Sequence, residues 1–304
     1  MSANQAFHIH ISGIVQGVGF RPFVYRIAVD CGISGWVLNS VGGVEIHAQG
    51  SDEILTRFIQ RLQEEAPPAS SIENIEWEAV EADGSLTEFT IKKSSAEGQD
   101  GVGVITSPDL ALCDDCRTEL QDPSDRRYHY PFINCTNCGP RFTIIRDLPY
   151  DRPKTTMRSF ELCDDCRREY EDPLDRRFHA QPNACADCGP ELLFWDMDNR
   201  EGTPLRAQQA LDEAVDMLND GQVVAVKGLG GFHLACDATD DELVASLRKR
   251  KGRPAKPFAI MCRDLPTVLR FARVGQRERD ELLSPAAPIV VLEELNAGDQ
   301  SSPR

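Results

Sequence analysis

Eight of the eleven cysteines in this 304-residue chain fall into four Cys-x-x-Cys pairs. Each half of the segment reads Cys-x2-Cys-x18-Cys-x2-Cys, so two tight turns can present four thiolates to one tetrahedral ion. A unit this small cannot bury enough apolar surface to fold alone, so metal binding must contribute to its folding. We predict two structural zinc ions with the ligands Cys113, Cys116, Cys135, Cys138, Cys163, Cys166, Cys185 and Cys188.

The cysteine region is an internal repeat with a period of fifty residues, in which Cys113 recurs as Cys163 and His129 as His179. Four pairs in register disfavour a redox dithiol or unrelated core cysteines. The pattern leaves open whether each repeat binds its own ion or the outer pairs share one. It also leaves open whether the two histidines replace a cysteine, orient one, or only pack.

A second chemical signal is the glycine-rich string Gly13-Ile-Val-Gln-Gly-Val-Gly-Phe-Arg21. Glycines at 17 and 19 let successive backbone N–H groups converge on one anion, and a following helix adds its positive N-terminus. Arg21 can hold two phosphoryl oxygens in a fork. We therefore predict a phosphate-binding loop formed by Gln16, Gly17, Val18, Gly19 and Phe20.

Strands and helices that would hold this loop follow from periodicity and from glycine and proline positions. The expected order is β-α-β-β-α-β, the ferredoxin-like pattern. Asn39 ends the second of these strands, and Cys31 is expected in the core. The predicted strands cover residues 7–11, 36–39, 44–49, 75–80 and 89–91, and the predicted helices begin near Pro22 and Ser51.

The C-terminal region carries the one concentrated basic cluster, Arg248 to Lys251 followed by Arg253 and Lys256. Its position after a helix and near a glycine-rich strand loop favours an anion site over a merely solvated face. We expect an α/β region here. Its predicted helices are 207–218 and 242–250, and its predicted strands are 223–226, 234–237 and 288–292, the first and last of them buried.

Composition and charge indicate which binding partners and which location are expected. The net charge of −16 opposes binding to nucleic acid and to anionic membranes, except at a local basic patch. No apolar run is long enough for a membrane helix, and the N-terminus lacks a signal-peptide pattern, so we expect a cytoplasmic protein without a membrane partner. The expected divisions are 1–93, a linker at 94–105, a zinc region at 106–192 and a last domain at 204–304.

The loop, together with Asn39, resembles the acylphosphatase family over roughly ninety residues. The resemblance implies that Arg21 binds the phosphate and that Asn39 positions the attacking water. The segment Lys251-Gly-Arg-Pro-x-Lys-Pro257 resembles the nucleotide-binding signature of the YrdC-like family. That resemblance implies an incomplete α/β domain of the YrdC-like type and weak RNA binding through this region. It also implies nucleotide contacts from Lys227, Lys251, Arg253 and Lys256.

The order of the three regions resembles the carbamoyltransferase HypF family of NiFe-hydrogenase maturation. The resemblance implies hydrolysis of carbamoyl phosphate, adenylation of carbamate with ATP and Mg²⁺, and transfer to a HypE-type acceptor by a further domain. Because the chain ends at Arg304, we expect it to hydrolyse acyl phosphates without completing the transfer. We expect the zincs to brace the path between domains, so that chelation leaves acyl-phosphate hydrolysis intact.

Two alternatives belong to other functional classes. A zinc-dependent nucleic-acid binder fits the basic cluster, although the net charge opposes it. A chaperone-like interaction module fits the paired cysteines, but the glycine-rich sequence typical of such modules is replaced after Cys138 by Gly-Pro-Arg141.

Overall fold

The computed structural model describes residues 5–67, 69–94, 107–197 and 202–295. The expected linker at 94–105 lies outside these residues, apart from Ser94. The chain forms two compact units, Met1–Pro190 and Glu191–Arg304. No helix in the described part is long and apolar enough to cross a membrane.

The first unit begins with a five-stranded sheet in the order β4-β1-β3-β2-β5. Neighbouring strands are antiparallel except β2 and β5, which run parallel. Asn39 pairs with Val44 at the end of β2, beside the turn into β3. The strands are β1 (Gln5–Ile14), β2 (Ser34–Ser40), β3 (Gly43–Gly50), β4 (Ser71–Val80) and β5 (Phe89–Ile91).

Two helices, α1 (Phe20–Cys31) and α2 (Asp52–Glu64), cover one face of this sheet. Ser51 caps α2 by accepting a hydrogen bond from the backbone N–H of Ile54, and Gly32 ends α1 in a left-handed conformation. The element order confirms the predicted ferredoxin-like pattern. The apolar core between the layers places the loop before α1 at a fixed point above the sheet, with Val18 and Phe20 among its buried residues.

The cysteine region of the first unit has little regular structure and a core built partly from the cysteines themselves. Each repeat contributes one short helix that starts just after its first cysteine. These helices are α3 (Asp114–Gln121) and α4 (Asp164–Glu171). Three 3-10 turns lie between the repeats, at Phe142–Ile144, Arg152–Lys154 and Thr156–Ser159.

The second unit consists of three separate two-stranded sheets and four helices within the described residues. The paired strands are β6 (Leu193–Phe194) with β7 (Leu205–Arg206), β8 (Val224–Lys227) with β9 (Phe232–Ala235), and β10 (Ala272–Arg273) with β11 (Glu293–Glu294). The helices are α5 (Ala207–Asn219), α6 (Asp241–Arg250), α7 (Leu265–Val268) and α8 (Gln276–Leu282).

One strand prediction for the second unit was wrong, and a second predicted strand forms but is not buried as expected. Residues 288–292 form no strand, and Ile289 and Val291 are 84% and 94% exposed. A run of apolar residues indicates a buried strand only where a neighbouring strand and a covering layer exist, and neither reaches these residues. The strand near Val223 does form as β8, but Val226 is 50% exposed because a two-stranded hairpin has no sheet around it.

Candidate functional site

The loop between β1 and α1 is shaped by two glycines in the left-handed region, Gly17 with φ 75° and Gly19 with φ 74°. Gly19 is also the N-cap of α1, and its carbonyl accepts a hydrogen bond from the N–H of Phe23 at 3.1 Å. A Cβ atom at Gly17 would lie 3.0 Å from the ring of Tyr150. Positive φ and this close approach together favour glycine there.

The loop borders a cleft that brings both predicted catalytic residues together. One side carries Arg21 from α1 and Asn39 from β2. The other side belongs to the cysteine region, which contributes Thr136, Arg141, Tyr150 and residues 179–182. Side chains of the cysteine region therefore line the cleft together with those of the phosphate loop, α1 and β2.

Arg21 is only 6% exposed and projects from the first turn of α1. Its Nη2 donates to Oδ1 of Asp151 at 3.2 Å, and its Nη1 donates to Oγ of Ser94 at 3.4 Å. These partners fix the guanidinium plane and leave further N–H groups of Arg21 for a ligand, since the group carries five.

Asn39 is 1% exposed, and within the described residues neither its Oδ1 nor its Nδ2 has a hydrogen-bond partner. A buried amide without partners costs free energy, about 1–3 kcal/mol for each unsatisfied group. Such a group in a cleft is explained by a water or ligand that completes its hydrogen bonds.

Gln16 stabilises the phosphate-binding loop by hydrogen bonds and is not among the residues that line the cleft. Its Nε2 donates to the carbonyls of Ser40 and Gly43 at 2.7 and 2.9 Å, and its Oε1 accepts from the N–H of Tyr150 at 3.2 Å. Gln16 thus joins the loop, the β2–β3 turn and the cysteine region. The side chain of Val18 lies in the core, so this residue can offer a ligand only its backbone.

Tyr150 and His179 also line the cleft, although the sequence did not predict either of them to lie at the phosphate site. Burial raises the pKa of Tyr150 to about 12, and its hydroxyl has no partner within the described residues, so it remains a neutral donor. Burial, together with the nearby Arg21 guanidinium, lowers the pKa of His179 to about 4. No sequence signal could have placed either residue beside a loop more than 130 positions earlier.

The eight predicted zinc ligands form two clusters, and each cluster contains the four cysteines of one repeat. This decides between the two pairings in favour of one ion per repeat. Sulfur–sulfur distances are 3.7 Å for Cys113–Cys135 and 3.7 Å for Cys163–Cys185. A tetrahedral ion with zinc–sulfur bonds requires about 3.8 Å between sulfurs. The donors therefore fit zinc, which would supply structural cross-links here.

Arginines of each repeat reach the cysteine cluster of the other repeat. Arg126 and Arg127 donate to Sγ of Cys166 at 3.3 and 3.5 Å, while Arg176 donates to Sγ of Cys116 at 3.0 Å. Because a four-thiolate zinc site carries net negative charge, these guanidinium groups stabilise it. The Asp-Arg-Arg sequence of each repeat therefore stabilises the cysteine cluster of the other repeat, an arrangement that we call the reciprocal brace.

Two glutamates complete the braces. Arg127 donates to Glu169 at 2.6 Å, and Arg177 pairs with Glu119 in the equivalent position. Burial alone would raise the pKa of Glu169, but the hydrogen bonds from Arg127 and Arg126 outweigh it and lower the pKa to about 2. Both carboxylates are therefore ionised at neutral pH.

The two histidines of the repeat have different surroundings, although both adopt positive φ, 54° for His129 and 53° for His179. Neither joins a cysteine cluster in the described residues. His129 is exposed and stacks on Tyr128, with ring centroids 3.8 Å apart. His179 instead lines the cleft.

The predicted nucleotide contacts all lie in the second unit. Lys227, Lys251 and Lys256 are exposed. Arg253 is partly committed to the protein itself, since it donates to the carbonyls of Lys256 and Pro257 at 3.3 and 2.9 Å. The three lysines are thus the accessible cations of this set.

Comparison with known protein families divides the chain in the same order. The acylphosphatase model matches residues 7–91, and the HypF finger model matches 112–145 and 162–195. A model described as telomere recombination, for the Sua5, YciO and YrdC proteins, matches residues 216–302.

Curated relatives include the carbamoyltransferase HypF of a Synechocystis species, 54% identical over 93% of this chain and 36% of the relative. HypF2 of Cupriavidus necator is 48% identical over 96% of this chain and 36% of the relative. An acylphosphatase of Staphylococcus aureus is 45% identical over 27% of this chain and 92% of its own length.

Among solved structures, full-length HypF in a phosphate- and nucleotide-bound form matches with a TM-score of 0.86 and 46% identity, over 97% of this chain and 38% of that chain. HypF of T. kodakarensis matches with a TM-score of 0.84 and 47% identity, over 96% of this chain and 36% of that chain. The chain thus spans little more than a third of its HypF relatives, 36% of the Synechocystis protein. It belongs to the HypF family of carbamoyltransferases, with an acylphosphatase domain, two finger units and YrdC-like sequence.

Proposed function

We propose that the cleft beside Arg21 hydrolyses acyl phosphates, with carbamoyl phosphate as the natural substrate. The observation that carries the proposal is the buried, unpartnered amide of Asn39 in the same cleft as Arg21. A positive group that binds a phosphate and an amide that lacks its hydrogen bonds are the two elements that a water-mediated hydrolysis needs.

In this proposal Arg21 and the loop N–H groups bind the phosphoryl oxygens, and the positive end of α1 adds to their effect. Asn39 accepts a hydrogen bond from a water and holds its oxygen toward the phosphorus. The water oxygen forms a bond to phosphorus while the bond between phosphorus and the bridging oxygen breaks. The carboxylate or carbamate leaves with the electron pair, and the proton that the water loses passes to a phosphoryl oxygen. Because a carboxylate or carbamate is a weakly basic leaving group, no general acid is required.

We further propose that a protein with the full length of the HypF relatives adenylates the released carbamate with ATP, and that it then transfers the carbamoyl group to a HypE-type acceptor in hydrogenase maturation with release of AMP. The nucleotide contacts would be Lys227, Lys251, Arg253 and Lys256. Support comes from the HypF structure described as phosphate- and nucleotide-bound. The division into domains at 93, 105 and 192, the onset of the last domain at 204, and the cytoplasmic location belong to the same proposal.

We also propose weak RNA binding through the basic cluster, in which only the exposed lysines contact the RNA. Arg248 donates to the carbonyls of Arg253 and Lys256 at 3.0 and 2.9 Å, which leaves the exposed lysines to contact a phosphate backbone. RNA retention that is lost on raising salt and on substituting Lys251 would support it.

The main proposal is tested by hydrolysis of carbamoyl phosphate and acetyl phosphate with the wild-type chain and two variants. Arg21→Ala should lower kcat/KM by on the order of 100-fold, because a charge-assisted contact to the phosphate is lost. Arg26→Ala is the matched control, since Arg26 is an exposed residue of the same helix, and it should behave as wild type. Equal activity of all three proteins would refute the assignment.

A further inference from the structure

Arg141 of the first finger unit makes an unusually complete set of hydrogen bonds. Its side chain is buried, at 1% exposure, and its three nitrogens donate to five backbone carbonyls. A guanidinium has five N–H donors, so the group is fully used. Four acceptors belong to the cysteine knuckle and the fifth to the phosphate loop, the set being Cys135, Thr136, Cys138, Pro140 and Gly17.

The contact with the loop fixes more than one atom. Nε of Arg141 donates to the carbonyl of Gly17, which begins the peptide group shared with Val18. In a trans peptide the C=O and N–H groups point in opposite directions. Holding the Gly17 carbonyl toward Arg141 therefore fixes the direction of the Val18 N–H, one of the amides of the predicted anion cradle.

Arg141 also brings positive charge to the cleft. It lines the cleft with Arg21, but Arg21 is paired with the carboxylate of Asp151. Within the described residues, the Arg141 side chain forms no ion pair, and its charge is met only by carbonyl dipoles. A buried cation without a carboxylate partner strengthens the attraction of an anion.

We propose that Arg141 is a positioning residue of the phosphate site: it ties the first cysteine knuckle to the phosphate loop, orients the Val18 N–H and supplies a second positive charge. The inference rests on the proposed function, because the anion is taken to be the phosphoryl group of the substrate. The second repeat has no counterpart, since Glu191 stands fifty residues after Arg141.

The test is the affinity of the zinc-loaded chain for inorganic phosphate, measured by calorimetry together with zinc content. Arg141→Lys keeps the charge but cannot hold five carbonyls, and it should bind phosphate at least about tenfold more weakly while retaining both zinc ions. Arg146→Lys is the matched control, because Arg146 is an exposed arginine of the same segment, and it should bind like wild type. In steady-state assays Arg141→Lys should raise KM more than it lowers kcat.

Phosphate affinity of Arg141→Lys within about twofold of wild type would overturn the inference. If that variant loses zinc or does not fold, the inference is tested instead by the NMR signal of the Val18 backbone amide in the wild-type chain, recorded with and without phosphate. It should be among the signals most shifted by phosphate, and an unchanged Val18 signal would overturn the inference. A chain that binds phosphate through Arg141 but releases no phosphate from carbamoyl phosphate would refute the proposed function alone.

Discussion

Nη2 of Arg21 lies 3.2 Å from Oδ1 of Asp151, which is 130 positions later in the chain. The pair links the helix that follows the phosphate loop to the segment between the two finger units. It holds the guanidinium in place, and it also places a negative charge beside a group proposed to bind a phosphate. Both effects can be separated by substitution.

Asp151→Asn should keep the hydrogen bond to Arg21 but remove the negative charge. We expect inorganic phosphate to inhibit hydrolysis at a several-fold lower concentration, since a nearby carboxylate opposes an anion by on the order of 1 kcal/mol at a partly buried site. Asp147→Asn serves as control, because Asp147 is exposed and pairs with Lys154. Weaker inhibition by phosphate in Asp151→Asn would show that its charge mainly holds Arg21 in place.

Gly17→Ala should distort the phosphate loop. The left-handed conformation costs a residue with a Cβ about 1–2 kcal/mol, and here the Cβ would also press on Tyr150 and Arg141 at 3.0 and 3.1 Å. We expect reduced thermal stability and a larger loss of phosphate affinity.

Gly84→Ala is the comparison for this substitution, because a Cβ at Gly84 would meet nothing within 4 Å. It should change neither stability nor phosphate affinity. If Gly17→Ala bound phosphate as well as Gly84→Ala did, the described loop conformation would not be the one that binds.

Arg127→Gln should weaken zinc binding in the second repeat rather than in its own. Arg127 donates to Sγ of Cys166 and to Glu169, both of which lie in the other repeat. Groups that support metal ligands typically contribute 10–100-fold to metal affinity. Competition with a chelator should therefore release one of two zinc ions earlier than in wild type.

Arg117→Gln provides the reference for that measurement, since Arg117 is exposed on α3 and its side chain pairs with Asp114 of the same repeat. It should release zinc as wild type does. Early release from the first repeat in Arg127→Gln would contradict the reciprocal brace.

His179 should titrate with a midpoint near 4 in the free protein, because burial and Arg21 both oppose its protonation while Asp151 only partly compensates. Its folded pKa lies below the ordinary 6.5, so the unfolded chain binds the proton more tightly. His179 therefore contributes stability that is fully present above about pH 6.5 and is lost as the pH falls toward 4.

A bound phosphate should raise the pKa of His179, since its negative charge favours the imidazolium. Both titrations can be followed from the imidazole proton signals, with His179→Asn used for assignment. A midpoint of 6.5 in the free protein, unchanged by phosphate, would contradict the described surroundings.

Local patterns were sufficient for much of this protein. The ferredoxin-like order followed from alternation and helix caps, and the two cysteine clusters followed from four pairs at fixed spacing. The strand at 288–292 failed because its sequence encodes hydrophobicity but no pairing partner.

The shared cleft could not be predicted, because its contacts join residues far apart in the chain. Arg141 and Gly17 are 124 positions apart, and neither the glycine-rich loop nor the cysteine pair indicates that the other lies beside it. The expectation that chelation spares hydrolysis came from treating the regions as independent. With Arg141 holding the loop, zinc removal should instead weaken phosphate binding.

The central claim is that Asn39 holds the attacking water in a cleft where Arg21 binds the phosphate. It is tested most directly by turnover of saturating carbamoyl phosphate by Asn39→Ala, alongside the affinity of this variant for inorganic phosphate. We predict a kcat at least about 100-fold below wild type with phosphate affinity little changed, as expected for an interaction made in the transition state. An unchanged kcat in a folded Asn39→Ala chain would contradict the account.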